Sequence, residues 1–170
     1  MYPVYKGTFE RIDEPIVWEG HQYTEWLIKW VKDFSRSIDY LETQSDFDKN
    51  KFVFLGHSWG GYPGASIPLV EYRLAASILI CGGIDAGEYL YPEAKPINYV
   101  TRIRIPVLML NGKYDMIFPL EKEVKPFFDL QVTPEKDKRL IVYETDHYVT
   151  KSEIIMETIN WLDKYLGPVK

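Results

Sequence analysis

The sequence predicts an α/β fold, with a mostly parallel sheet of about four strands flanked by helices. Four short runs are apolar without polar alternation, which is typical of parallel strands buried on both faces. Helix-like segments separate and follow these runs, and such alternation indicates an α/β protein. The length of 170 residues, 46% of them hydrophobic and 26% charged, suits one globular domain. The predicted strands are Lys51–Leu55, Ala75–Cys81, Pro106–Leu110 and Leu140–Glu144.

The first predicted helix covers residues 24–42. Large apolar residues recur there at spacings of three and four, and charged residues fill the opposite face. The apolar positions are Trp26, Leu27, Trp30, Val31, Phe34, Ile38 and Leu41. Two further helices are expected in Gly60–Tyr72, with a kink at Pro68, and in residues 119–129.

The last predicted helix begins after Thr150 and ends at Gly167-Pro168. Thr150 and Glu153 have the spacing of a capping box, in which side chains satisfy the free amides of the first turn. One apolar stripe is expected to face the core of the protein. Its members are Ile155, Ile159, Leu162 and Leu166.

We expect one domain, made of an irregular N-terminal arm over residues 1–20 and a core over residues 21–170. The arm carries two prolines and two glycines and has no sustained periodicity. The longest irregular stretch in the core is Gly82–Arg104, and loops of this length are usually functional. Its tyrosines are expected to shape a pocket, and they are Tyr89, Tyr91 and Tyr99.

Charge and composition exclude several classes of function. The net charge of −5 gives no field that attracts nucleic acid or anionic lipid, so neither is an expected partner. With three histidines and Cys81 as the one cysteine, we expect no metal, no cofactor and no disulfide, and we expect a cytoplasmic location. No apolar run approaches the length of a membrane span, and the charged N-terminus does not resemble a signal peptide.

The strongest chemical signal is the segment Gly56-His57-Ser58-Trp59-Gly60-Gly61, which follows a predicted strand and precedes a predicted helix. A G-x-S-x-G segment in this context is typical of a nucleophile elbow, a tight turn that lifts a serine hydroxyl out of the sheet. Both Gly56 and Gly60 are expected to be small because the turn crowds the neighbouring backbone. The amide of Trp59 is expected to stabilise an oxyanion. The alternative is a glycine-rich turn with an incidental serine.

A serine nucleophile needs a base and an acid that orients the base. His147 is the one histidine after Ser58, and it follows the last predicted strand. Asp115 follows the preceding strand and would reach the same edge of the sheet. Asp146 and Asp85 are the rival acids, and we interpret Asp146 as structural because adjacent residues usually point apart. His21, His57 and Cys81 are expected to have packing roles.

Three segments, GHSWGGY, LNGKYD-x-x-FP and TDHYV, resemble the catalytic segments of the α/β-hydrolase superfamily, in its dienelactone hydrolase and prolyl-oligopeptidase-like branch. Four others resemble the C-terminal hydrolase modules of large bacterial proteins, some of which carry kinase domains. These are YPVYKGTFER, SIDYLET, PVLMLNGKYD and NWLDKYLGPV. The resemblance implies Ser58 as nucleophile, Asp115 as acid, His147 as base and the Trp59 amide as one oxyanion donor. It implies no metal or organic cofactor.

The sequence departs from this family ahead of the elbow. Only 55 residues precede Gly56, so the first half of the family's sheet is not visible, nor is the loop that supplies the second oxyanion donor. Candidates for that donor, or for the substrate pocket, are Tyr5, Gly7, Trp59 and Tyr62. The elbow strand would then lie at a bare edge, which favours a two-fold homodimer.

These observations predict a carboxylesterase that cleaves small esters through an acyl-enzyme on Ser58. One alternative is a weak or inactive hydrolase remnant that acts as an interaction or assembly module. Another is a peptidase or amidase that uses the same three residues.

Overall fold

A computed structural model describes residues 1–84 and 90–168 of the chain. Four parallel strands form one sheet in the order β1-β2-β3-β4, and each strand pairs with the next one along the chain. The predicted α/β class is therefore confirmed. The strands are β1 (Phe52–His57), β2 (Leu74–Ile80), β3 (Val107–Gly112) and β4 (Lys138–Tyr143). The rival acid Asp85 and the loop residue Tyr89 lie outside the described residues.

Five α-helices accompany the sheet in the described chain, and the first and last are the long ones. The helices are α1 (Gly20–Glu42), α2 (Ile67–Val70), α3 (Ile97–Val100), α4 (Lys125–Leu130) and α5 (Lys151–Leu166). Short 3₁₀ segments lie at Phe9–Arg11, Ser58–Ala65, Pro92–Ala94 and Glu135–Asp137. The first predicted helix is confirmed as α1 and begins four residues earlier than expected, at Gly20. None of the helices in the described parts of the chain could cross a membrane.

The sheet is covered on both faces, which explains its continuous apolar strands. On one face, α1 and α4 pack against the side chains of Phe54, Val107 and Met109. On the other face, Trp161 of α5 packs in a second cluster with Ile78 and other residues of the sheet. Every residue of β3 is buried because this strand lies inside the sheet and between the two helical layers.

The helix predicted within Gly60–Tyr72 is present but short, and Pro68 lies at its start instead of kinking it. The chain continues from β1 as a 3₁₀ segment and reaches an α-helix only in the four residues of α2. Pro63 lies inside the 3₁₀ segment and Pro68 lies at the start of α2. Because proline lacks an amide hydrogen and clashes with the preceding turn, these two residues prevent a continuous α-helix. The segment predicted over residues 119–129 is a π-helical turn, Leu120–Val124, followed by α4.

Helix α5 is capped as expected, because the Thr150 hydroxyl accepts a hydrogen bond from the Glu153 amide. Its predicted buried stripe is partly wrong, since Ile155 and Ile159 are more than half exposed. The residues that face the sheet side are Ile154, Trp161, Leu162 and Tyr165. The predicted stripe and the observed stripe both have helical spacing. The observed stripe is the one that is covered because its aromatic residues, Trp161 and Tyr165, bury more apolar surface.

The N-terminal arm lies along α1. The amide of Lys6 donates to the Asp33 carboxylate at 2.7 Å, and the indole of Trp30 donates to the Lys6 carbonyl at 2.9 Å. Lys29 of α1 also pairs with Glu14 of the arm at 3.2 Å. Polar contacts therefore fix the arm on the helix that covers one face of the sheet.

Candidate active site

Ser58 lies at the turn between β1 and the 3₁₀ segment that follows it. Its φ of 54° is in the left-handed region, which a residue with a side chain rarely adopts. A Cβ on Gly56 would lie 2.1 Å from the carbonyl oxygen of Gly60, so this position needs glycine. The strained turn and the crowded glycine agree with the geometry expected of a nucleophile elbow.

The expectation that Gly60 must be small is wrong. A Cβ built on Gly60 meets no atom within 4 Å, whereas one on Gly61 would lie 3.0 Å from the Cα of Gly82. The second close approach in the turn is therefore between Gly61 and Gly82, in the segment directly after β2. The G-x-S-x-G motif predicts that a glycine after Ser58 is crowded. Only the packing against the segment after β2 shows that this glycine is Gly61 and not Gly60.

The structure brings together the predicted nucleophile, base and acid, which are Ser58, His147 and Asp115. The Oγ of Ser58 lies 2.6 Å from Nε2 of His147, and Nδ1 of His147 lies 2.8 Å from Oδ2 of Asp115. With a carboxylate at Nδ1, that nitrogen carries the hydrogen and Nε2 accepts from the serine hydroxyl. Asp115 is 2% exposed and His147 is 8% exposed, so the hydrogen-bonded chain is shielded from water except near the serine.

Asp115 is held in place by its second carboxylate oxygen. Oδ1 accepts hydrogen bonds from the amides of Ile117 at 2.8 Å and Phe118 at 3.0 Å. A carboxylate that accepts backbone hydrogen bonds keeps a fixed orientation, and its other oxygen is then free for His147. The turn after β3 therefore fixes the Asp115 carboxylate beside His147.

The loop that carries His147 is fastened to the turn after β3. The amide of Lys113 donates to the Tyr143 carbonyl at 2.8 Å, and that of Tyr114 donates to the Thr145 carbonyl at 2.9 Å. The Lys113 ammonium also pairs with the Glu144 carboxylate at 2.6 Å. These contacts extend the pairing of β3 and β4 beyond the sheet.

Asp146 has the structural role expected of it. Its Oδ1 accepts a hydrogen bond from the Tyr148 amide at 3.0 Å, which forms a local turn around His147. The carboxylate that meets His147 belongs to Asp115 instead.

The other titratable candidates, His21, His57 and Cys81, are not part of the hydrogen-bonded chain of Ser58, His147 and Asp115. The His57 ring is 6.4 Å from the His147 ring, and partial burial, with a smaller electrostatic effect of the nearby His147, lowers the pKa of His57. His21 lies in the first turn of α1 and is 3.5 Å from Glu25. Cys81 is fully buried, and this burial raises the pKa of its thiol.

A cavity of about 200 Å³ opens beside Ser58. Two predicted candidates, Trp59 and Tyr62, line it. The other lining residues are Trp18, Tyr23, Leu90, Ile117 and Phe118. Sequence reasoning missed Trp18 and Tyr23, although both are aromatic residues at the junction between the arm and α1.

The two other candidates of the arm, Tyr5 and Gly7, are not among the residues that line this cavity. The Gly7 amide donates to the Arg11 carbonyl at 3.2 Å, and a Cβ there would lie 2.8 Å from the Trp26 ring. The Gly7 amide is therefore engaged within the arm, which contradicts the expectation that it donates to an oxyanion. The Tyr5 ring packs edge-on against Trp59 with its centroid 6.5 Å away, and burial, Asp33 and Tyr2 raise the pKa of Tyr5 to about 12.

Solved structures resemble this chain in fold. Puromycin hydrolase matches with a TM-score of 0.70 and 17% identity, over 85% of this chain and 26% of that protein. A cold-adapted esterase from an Arctic intertidal metagenomic library matches with a TM-score of 0.70 and 19% identity, over 86% and 63%. A protein of Klebsiella pneumoniae assigned as a dienelactone hydrolase matches with a TM-score of 0.73 and 15% identity, over 95% and 73%.

The chain thus has the α/β-hydrolase fold in a truncated form, as the resemblance implied. It spans about a quarter of puromycin hydrolase and less than two thirds of the Arctic esterase. No protein-family model matches the sequence, and no curated protein matches it. Within residues 1–84 and 90–168, no group of three or more histidine, cysteine or acidic side chains is arranged to hold a metal ion.

Proposed function

We propose that this protein is a serine hydrolase that cleaves small carboxylic esters through an acyl-enzyme on Ser58. The observation that carries the proposal is the chain of two short hydrogen bonds from Ser58 through His147 to the buried Asp115. Serine alone is a weak nucleophile, and an oriented imidazole within hydrogen-bond reach is what activates it. The hydrolases and the esterase among the structural neighbours share the fold, which agrees with this chemistry without specifying it.

In the first half of the reaction, Nε2 of His147 takes the proton of the Ser58 hydroxyl as Oγ attacks the ester carbonyl. The Trp59 backbone amide, at the start of the 3₁₀ segment, donates to the oxyanion of the tetrahedral intermediate. When the intermediate collapses, the alkoxide takes the proton from His147 and leaves as the alcohol. Asp115 stabilises the imidazolium throughout.

In the second half, water replaces the alcohol. His147 takes a proton from this water as the water oxygen attacks the acyl carbonyl, and the acid is released when Oγ of Ser58 takes the proton back. Oxyanion donors lower the barrier of both halves, and the loss of one typically costs about 10²- to 10³-fold in turnover. We propose esters over amides because an alkoxide leaves more readily than an amine and makes a smaller demand on the oxyanion site.

Hydrolysis of 4-nitrophenyl acetate and butyrate by the wild type and by Ser58→Ala tests the proposal, with burst and steady state both recorded. We expect turnover by the wild type and background rates in the variant. Ser152→Ala is a matched control because Ser152 is an exposed serine of α5, distant in sequence from the elbow, and it should retain wild-type turnover.

A fluorophosphonate probe gives a second measurement that does not depend on the choice of ester. The wild type and Ser152→Ala should be labelled once per chain, and Ser58→Ala should not be labelled. Equal background activity and absent labelling in all three proteins would overturn the esterase proposal. That result would favour the second function considered, a hydrolase remnant that binds other proteins.

A further inference from the structure

The wall of the cavity beside Ser58 is mainly aromatic. Five of the eight residues that line it carry aromatic rings. These are Trp18, Tyr23, Trp59, Tyr62 and Phe118. We propose that this pocket selects esters that carry a compact, uncharged aromatic group, and that Trp18 of the N-terminal arm is a specificity-determining residue. The proposal rests on the proposed esterase function and names the substrate class of the same site.

Trp18 occupies its place because three other rings hold it. Its ring centroid lies 6.0 Å from that of Trp59 in an edge-to-face arrangement, and 6.1 Å from those of Tyr23 and Trp30. Trp59, next to the nucleophile, in turn packs edge-on against Trp30 at 4.6 Å. The arm therefore contributes a ring that is fixed relative to Ser58.

Trp18 forms an outer wall of the pocket. It is 49% exposed, whereas Tyr23 and Tyr62 are almost completely buried. The inner rings thus belong to the core, and their replacement would disturb folding as well as binding. Trp18 can be replaced with little loss of buried core, so it offers a direct test of specificity.

The volume of the pocket limits the group that it can hold. An apolar cavity of about 150 Å³ is large enough for benzene, so a cavity of about 200 Å³ holds one phenyl ring with a short linker. A long acyl chain would extend out of the pocket into water. Volume alone does not separate a phenyl ring from a cyclohexyl ring, and the aromatic wall supplies that distinction.

Aromatic rings prefer aromatic partners of the right orientation. Edge-to-face and offset contacts add to the gain from apolar burial, and a saturated ring cannot make them. The ring centroids of Tyr23 and Tyr62 lie 6.2 Å apart and those of Trp18 and Trp59 lie 6.0 Å apart, and both pairs are edge to face. The lining rings therefore have different orientations, and the wall presents both ring faces and ring edges to a bound group. Among the described residues, the lining contains no charged side chain, which favours an uncharged guest.

The test compares two pairs of esters that differ in a single ring. Methyl phenylacetate is paired with methyl cyclohexylacetate, and benzyl acetate is paired with cyclohexylmethyl acetate, so the ring lies on the acyl side or the alcohol side. Release of acid is followed by pH-stat titration. In at least one pair we expect the aromatic ester to have a kcat/KM about two- to tenfold higher in the wild type.

Trp18→Ala should remove most of this preference, while Trp18→Phe should retain part of it. Tyr40→Ala is the matched control, because Tyr40 is a half-exposed aromatic residue of α1 that does not line the pocket, and its ratio should equal that of the wild type. Equal rates above background within both ester pairs in the wild type would overturn the proposal. So would an unchanged ratio in Trp18→Ala, or a stronger preference for a choline ester, since aromatic cages also bind quaternary ammonium groups.

Binding of the same four esters to Ser58→Ala, measured by calorimetry, separates this inference from the proposed function. A protein that hydrolyses no ester but binds the aromatic member of a pair more tightly would contradict the esterase and support the pocket assignment. A protein that hydrolyses 4-nitrophenyl acetate through Ser58 but shows no aromatic preference would contradict only the pocket assignment.

Discussion

A Cβ atom added to Gly112 would lie 1.7 Å from the carbonyl oxygen of Asp146, the residue directly before His147. The last residue of β3 and the loop after β4 are therefore in backbone contact. The contact is close to the pair formed by Asp115 and His147, because Asp115 lies three residues after Gly112 and His147 lies one residue after Asp146. The absent side chain of Gly112 is a condition for the distance of 2.8 Å between Asp115 and His147.

Gly112→Ala is expected to move the His147 loop, because the obstacle is backbone and not a flexible side chain. Overpacking of this kind costs about 1 to 3 kcal/mol in stability. A displacement of the catalytic group by about 1 Å can cost about 10²-fold in rate. Both effects are measured by urea unfolding and by kcat for 4-nitrophenyl acetate.

Gly60→Ala is the control for this prediction. It makes the same chemical change within the elbow, but its Cβ would meet no atom within 4 Å. We expect activity within about twofold of the wild type, since a substitution with no clash usually changes the free energy by less than about 0.5 kcal/mol. Equal losses in Gly112→Ala and Gly60→Ala would contradict the role of the contact with Asp146.

Asp115→Asn should reduce activity with little change in stability. The amide oxygen can still accept from the amides of Ile117 and Phe118, so the turn is preserved. The uncharged side chain no longer stabilises the His147 imidazolium or fixes its tautomer, and kcat should fall by about 10³- to 10⁴-fold. Turnover and thermal unfolding of the variant provide the two measurements.

Asp146→Asn carries the same substitution on the adjacent acidic candidate and should keep nearly full turnover. Its oxygen can still accept from the Tyr148 amide, which is the contact seen for Asp146. If Asp146→Asn lost as much activity as Asp115→Asn, the assignment of Asp115 as the acid would be wrong.

Local sequence signals are sufficient to predict that Ser58, Asp115 and His147 lie at the same edge of the sheet. Each of the three follows an apolar strand, and parallel strands bring their carboxyl ends to one edge of a sheet. In the structure the strand order follows the chain order, and the ends of β1, β3 and β4 place the three residues along that one edge. The lengths of the loops do not enter this argument.

The pocket could not be predicted in the same way. Trp18 reaches the cavity because the arm folds back along α1, and that path depends on contacts between Lys6, Asp33 and Trp30 that are distant in sequence. The predicted buried face of α5 is partly wrong. Ile155 and Trp161 both lie on stripes of helical spacing, so periodicity does not separate them, and the stripe with Trp161 is covered because its aromatic residues bury more apolar surface against the sheet.

The open edge of β1 leads to a prediction about assembly. Within the described residues, β1 pairs with β2 alone, and Leu55 on this strand is 51% exposed. Unpaired strand edges tend to recruit another chain. We expect a two-fold dimer through this edge, with twice the chain mass of 20.0 kDa in size-exclusion chromatography with light scattering.

Leu55→Lys should shift this dimer towards the monomer, because a charge at the edge opposes pairing. Val142→Lys is the matched control, since Val142 is an exposed apolar residue on β4, the outer strand at the other end of the sheet. The prediction would fail if the wild type had the mass of one chain at micromolar concentration, or if both variants changed the mass equally.

The stability of the fold should depend on an ionic cluster around Arg73. The guanidinium binds Glu71 at 2.6 Å, Glu42 at 2.7 Å and Asp39 at 2.9 Å, and it thereby ties the start of β2 to α1. Glu71 is 2% exposed, so loss of Arg73 would leave a carboxylate buried without its partner. Arg73→Met should therefore reduce the free energy of unfolding by about 3 kcal/mol. Arg36→Ala removes an exposed partner of the same Asp39 and should cost less than about 1 kcal/mol.

The same cluster gives the stability a defined dependence on pH. Burial alone would raise the pKa of Glu71, but the hydrogen bonds and charge of Arg73, together with a hydrogen bond from Ser35, outweigh it and hold the pKa below the ordinary value of 4.5. The folded protein therefore releases this proton more readily than the unfolded chain. The resulting stabilisation is complete above about pH 4.5 and is lost as the pH falls through the lower pKa of the folded state. In urea unfolding at pH 7, 4.5 and 3.5, the wild type should lose more stability across the acid range than Arg73→Met, and parallel curves would show that Glu71 does not depend on Arg73.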